Sequence, residues 1–236
     1  MTCHGRIGSC LFALVVVAGC ASTTVTNRQA LVNAKLPRPD HIWVYDFVAT
    51  PADVPADSAI AGQTSEHSAP QTAEQIATGR QLGADIATQL VEQIRGMGLP
   101  AERASSRTTP QINDIVIRGY LLSIDEGSAV KRVAIGFGSG ASELRTAVEG
   151  YQMTGRGLRK LGSGTVDSGA SKTPGAAAPA AVAIASGNPV GLIVSSGMKV
   201  YGEASGSSTI EGRGEQTAKE IADQLKTKFE QQGWIK

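Results

Sequence analysis

Apolar positions along the chain alternate between two periods. His41-Ile42-Trp43-Val44-Tyr45-Asp46-Phe47-Val48 is dense in β-branched and aromatic side chains, which predicts a first core strand. From Thr72 to Met97 the period becomes helical. Ile76, Gly83, Ile86, Leu90, Ile94 and Met97 recur at spacings of three, four and seven, with Ala87 and Val91 beside them. Thr72 with Gln75 has the form of a capping box, Gly96 and Gly98 stop the helix, and Pro100 forbids its continuation. Ile112 to Asp125 then predicts a second strand, apolar on both alternating sets and so buried on both faces. Strand, helix and strand make a βαβ unit with parallel strands and a right-handed crossover.

Downstream, Glu143 to Thr154 alternates as a strand. Leu144, Thr146 and Val148 lie on one face and Ala147, Tyr151 and Met153 on the other. Gly155-Arg156-Gly157 is the turn of a hairpin, and Leu158 to Val166 the returning strand. Glu215 to Gln232 predicts a last helix with a stripe of Ala218, Ile221, Ala222, Leu225 and Phe229. Gly233 caps it, and Trp234 and Ile235 fold back on its end. The expected fold is α/β: a mixed sheet with a βαβ unit and an antiparallel hairpin, and two main amphipathic helices on one face. Ala49 to Pro70, with Pro51, Pro55 and Pro70, reads as a loop.

Between Lys172 and Lys199 the chain carries no charge and is dominated by Ala, Gly, Val, Ile and Ser. Gly187-Asn188-Pro189 breaks this stretch, which reads as a short apolar helical insertion at 173–198, either two helices or a helical hairpin. Gly187 and Gly191 form a small-xxx-small pair that lets helices approach closely. Three fates are open to the stretch: burial in the fold, self-association, or insertion in a membrane. Each half is too short to span a bilayer alone.

The amino terminus changes this picture most. A single cation, Arg6, precedes an apolar run from Ile7 to Val17 with no Asp or Glu, the length of a secretory signal. The run ends in Ala18-Gly19-Cys20, a lipobox: small residues admit an extended backbone to a peptidase, and the cysteine sulfur takes the lipid. Residues 1–19 are therefore expected to be a lipoprotein signal peptide. Residues 20–39, polar and without strong period, are expected to be a tether, with an ordered strand as the alternative. Residues 40–236 form a single domain. In the sorting signals of bacteria with two membranes, Asp after the cysteine marks inner-membrane retention. Ala21-Ser22 instead implies the outer membrane, with the body on the periplasmic face.

Cleavage removes Cys3 and Cys10, leaving Cys20, whose sulfur is used by lipid; no disulfide is then available and stability rests on packing. It also removes Arg6, leaving 21 basic against 21 acidic residues. With no basic tract and only 4% aromatics, nucleic-acid binding finds no support.

Catalytic motifs are missing. Gly136, Gly138 and Gly140 lack the lysine of a phosphate loop and precede a strand rather than a helix. They read as a tight glycine-rich loop; the alternative is a flexible tip at which Phe137 touches a partner or lipid headgroups. Asp125 and Glu126 are adjacent on a strand and point to opposite sides, so they cannot share a substrate bond. His41 and His67 have no ligand spacing, and no Gly-x-Ser-x-Gly elbow exists. No metal and no catalytic residue is expected. The only attached groups expected are the diacylglycerol and N-acyl chain on Cys20.

Several runs resemble the domain of unknown function 4410 family of bacterial lipoproteins. They are the lipobox at Cys20, the strand Trp43 to Phe47, Ile117-Arg118-Gly119-Tyr120-Leu121, the loop Ile135 to Ser142 with Leu144, the hairpin around Tyr151 to Gly157, Gly187-Asn188-Pro189-Val190-Gly191 and the terminal helix. The family carries no assigned activity, so the resemblance implies only the lipidated cysteine. The expectation is a non-catalytic, lipid-anchored envelope protein that binds or assembles with itself or other envelope components. Phe137, Gly187 and Gly191 are the candidate contact residues. The alternatives are an oligomeric pore or export-apparatus subunit of the outer membrane, and an envelope hydrolase.

Overall fold

The computed structural model describes residues 22–30, 34–61, 71–125, 143–169, 193–194 and 210–236. Among these described residues, seven strands form one sheet: β1 (Ser22–Ala30), β2 (Ile42–Val44), β3 (Ala101–Arg103), β4 (Ile115–Asp125), β5 (Glu143–Thr154), β6 (Gly157–Gly169) and β7 (Ile193–Val194). Their order is β1-β6-β5-β4-β2-β3, with β7 also beside β4. Two helices, α1 (Ala73–Gly96) and α2 (Ile210–Gln232), pack against the sheet and each other. The fold is the expected mixed α/β sheet. β2 pairs in parallel with both β3 and β4, while β4, β5, β6 and β1 run antiparallel in succession.

The main core lies between helices and sheet. Ile86, Leu90 and Ile94 of α1 and Ile221, Ala222 and Phe229 of α2 meet Ile42, Val44, Ile115, Ile117, Leu144 and Val166. The capping box at Thr72 is present: its side chain accepts from the Gln75 amide, and the Gln75 side chain accepts from the Thr72 amide. Thr72→Ala is expected to cost about 1 kcal/mol, read as a lower chemical-denaturation midpoint with an unchanged slope. Gly98 ends the helix at φ +82°, and Gly233 ends α2 at φ +76°. Trp234 then folds back as expected. Its amide donates to Phe229 O at 2.9 Å, and its ring stacks on Phe229 with centroids 5.4 Å apart.

Phe47 shows how tightly the layers meet. Its amide donates to the Gly83 carbonyl inside α1 at 3.1 Å. A Cβ on Gly83 would lie 2.0 Å from Phe47 O, and a Cβ on Gly119 of β4 would lie 2.1 Å from the Phe47 ring. Helix, crossing chain and strand touch because neither glycine carries a side chain.

Four expectations need correction. The tether is in part a strand, since Ser22–Ala30 pairs antiparallel with β6 as the sheet edge. Its run Thr23-Thr24-Val25-Thr26 is β-branched, which favours extended backbone although only Val25 is apolar. The apolar insertion is extended, not helical, at Ile193–Val194, which pairs in parallel with Ser123 and Ile124. Ile and Val are β-branched and fill the place beside β4 beyond the end of β2. The rest of 173–198 lies outside the described residues. β4 begins at Ile115 rather than Ile112, because Gln111 to Asp114 form a turn with Asn113 at φ 78°. α2 begins at Ile210, so that Ile210, Arg213, Gly214 and Thr217 extend its buried face.

Candidate functional site

The sheet face turned away from the helices holds the densest polar cluster among the described residues. Two features of sequence build it. After β2, the chain crosses at Phe47, forms a bridge from Val48 to Tyr120, and returns over this face through Thr50 to Ala61. Ile60 caps Tyr120, Leu122 and Ala147 there, with Val48 and Val54 alongside. The expected loop at 49–70 is thus irregular, but its described part, to Ala61, is strapped to the sheet.

Register then brings charged residues under the strap. Glu149 on β5 faces Arg118 on β4, and Tyr151 faces Val116 on β4 and Lys160 on β6. The β5–β6 register shifts between Gly150 and Tyr151, and this irregularity sets Lys160 opposite Tyr151.

Glu149 is 2% exposed and surrounded by donors. One carboxylate oxygen, Oε2, accepts from Ser58 Oγ at 2.9 Å, Tyr120 OH at 3.0 Å and Tyr151 OH at 2.7 Å. The other, Oε1, accepts from Lys160 Nζ at 2.6 Å and the Ala59 amide at 3.2 Å. Burial pushes this carboxyl up, but the hydrogen bonds from Lys160, Tyr151 and Ser58 and the Lys160 charge outweigh it and hold it below the ordinary 4.5. Burial and the Glu149 charge push both tyrosines above their ordinary 10.

Beside this carboxylate, Arg118 donates to Asp57 at 2.8 Å and lies over the Tyr151 ring at 5.2 Å and the Tyr45 ring at 5.9 Å. Asp57 and Ser58 both belong to the strap. The cluster therefore joins loop to sheet by a surface ion pair and a buried acid.

Chemically, Glu149 is saturated. Five donors occupy its lone pairs, so abstracting a substrate proton would require breaking contacts that hold the strap down. Neither tyrosine is poised to ionise. The arrangement suits a clamp better than a general base.

The residues singled out by sequence lie elsewhere. Cys20, Phe137, Gly187, Gly191, His67, Glu126 and the glycine loop at 136–140 are outside the described residues. Asp125 ends β4 opposite Glu143. His41 stacks on Trp43 at 5.2 Å and sits 3.9 Å from Glu102. Among the described residues no group of three or more His, Cys, Asp or Glu is placed to hold a metal, and no helix is long and apolar enough to cross a membrane. On the helix side, a cleft of about 190 Å³ between α1 and α2 is lined by Asp85, Glu92 and Glu211. Sequence reasoning missed Glu149. Its signal was an acid at an inward position of an alternating strand, between Ala147 and Tyr151.

These observations define a mixed-sheet α/β body whose second face is closed by a clamped loop. The chain belongs to the family described as Domain of unknown function (DUF4410), which matches residues 42–187. Among curated proteins none matches. Among solved structures, the chain is similar to two PelC dodecamer structures from Paraburkholderia phytofirmans. One, in space group P6, has 15% identity and a TM-score of 0.37 over 72% of this chain and 97% of that one. The other, a single-substitution variant in space group C2, has 15% identity and a TM-score of 0.36 with the same coverage.

Proposed function

We propose that the chain is a lipid-anchored envelope protein, held to the outer membrane by acyl chains on Cys20, that faces the periplasm and works by contact rather than catalysis. The observation that carries this reading is the lipobox: an uninterrupted apolar run from Ile7 to Val17 closed by Ala18-Gly19-Cys20. Two or three acyl chains at about 0.8 kcal/mol per buried methylene make such an anchor effectively permanent. The saturated Glu149 supports the non-catalytic part, since this buried acid under the strap is spent on holding structure. Its contacts are with itself or with other envelope components.

Fractionation tests the anchor. Cys20→Ser should leave the membrane pellet almost completely, and globomycin should accumulate the uncleaved precursor. A Cys20→Ser protein that still pellets with membranes overturns the reading.

A further inference from the structure

The register of the sheet gathers four strand ends at one level. Ser22 at the start of β1 pairs with Gly169 at the end of β6, Leu144 near the start of β5 pairs with Ser168, and Asp125 at the end of β4 pairs with Glu143. The Gly155–Arg156 turn lies at the far end of the hairpin, where Thr154 pairs with Gly157. β6 runs 13 residues from one end to the other, roughly 40 Å at 3.3 Å per residue.

Cys20 precedes Ser22 by two residues. Two residues of extended chain reach about 7 Å. An anchor on Cys20 therefore emerges at the level of Ser22, Gly169, Glu143 and Asp125 and cannot wander to the other end. A tether of twenty residues would leave the body free to tumble, but the edge strand consumes that slack by pairing with β6 from Ser22 onward. The chain also leaves β6 at this end, four residues before the charge-free run begins at Thr173.

We infer that this end of the sheet is a lipid-facing surface: the body stands on the phospholipid bilayer with β1, β6, β5 and β4 directed away from it and the Gly155–Arg156 turn farthest from the membrane. The inference rests on acylation at Cys20 and deepens that reading by fixing which surface the anchor leaves free for partners. The free surface is the far end, with the Gly155–Arg156 turn and the Asn113 turn beside it, where Asn113 N donates to Met153 O at 2.9 Å.

Energy transfer from single labelled thiols to acceptor-labelled headgroups in phosphatidylcholine vesicles tests this. The acylated mature chain has no free thiol of its own, so Glu143→Cys and Arg156→Cys each give one labelling position, with Gly169→Cys as a second near-end position should Glu143→Cys fold poorly. Transfer should be severalfold stronger from position 143 or 169 than from position 156. A flexible Gly-Ser insertion between Ala21 and Ser22 should erase the difference. Equal transfer from both ends without the insertion, stronger transfer from position 156, or a difference that survives the insertion overturns the orientation. Intact mass of the same samples separates the two readings: a mature chain without acyl chains on Cys20 overturns the anchor itself, whereas an acylated chain with equal transfer overturns only the orientation.

Discussion

Glu149→Ala is expected to destabilise the fold by about 3–5 kcal/mol, the range for removing one partner of a buried ion pair. Lys160 loses its carboxylate, the fully buried Tyr120 hydroxyl loses its charged acceptor, and Ser58 and Ala59 lose the group that holds the strap. Glu149→Gln keeps the shape but brings an amide donor against three hydroxyls and discards the charge, so about 2 kcal/mol is expected. Urea denaturation followed by tryptophan fluorescence measures both. Losses under about 1 kcal/mol for the alanine variant, the worth of an ordinary exposed pair, would mean that the strap holds without its acid.

The same carboxylate sets an acid limit. Its folded-state pKa lies below the ordinary 4.5. Its stabilisation is therefore complete above that value and is lost as pH falls through the folded-state value beneath it. The wild-type stability profile should drop below pH 4.5, and the alanine variant should lack that part of the drop. The tyrosines act at the other limit. Their folded pKa values are raised, so stability is full below pH 10 and declines as alkali forces ionisation.

Gly83→Ala is expected to cost at least about 3 kcal/mol, the upper range of overpacking. Its methyl would fall 2.0 Å from the Phe47 carbonyl oxygen, a backbone atom that cannot rotate aside. Helix propensity alone predicts the opposite sign, since alanine is favoured over glycine by about 1 kcal/mol inside a helix. The sign of the change in thermal midpoint decides: a rise would mean that α1 does not touch the chain at Phe47. Gly119→Ala should behave similarly, because its methyl enters the Phe47 ring. The double variant should cost less than the two single costs combined, as both act on one residue.

What could be read from residue order follows from which contacts are local. α1 was legible because Ile86, Leu90 and Ile94 repeat along one stripe and Thr72 caps its own helix. The β5–β6 hairpin was legible because a two-residue turn joins neighbours in sequence. β1 was not, for an edge strand with Ser, Thr, Asn and Gln shows little alternation, and its partner lies well over a hundred residues away. β3 is three residues long and carries no period at all. The clamp was hidden for the same reason as β1. Ser58 and Glu149 are 91 positions apart and Tyr120 and Glu149 29, so no spacing rule joins them. The irregularities near Leu122 and after Gly150, which decide the side on which Ile124 and Lys160 point, leave no mark in the pattern either.

The tail fastens the head. Gln232 Oε1 accepts from the Leu36 amide at 2.6 Å, its Nε2 donates to Ala34 O at 3.3 Å, and Trp234 Nε1 donates to Leu36 O at 3.1 Å. Residues just after the first strand are thus secured by the end of α2 and the turn that follows it. The fold therefore cannot close at this corner until α2 has formed and docked beside the segment that follows β1.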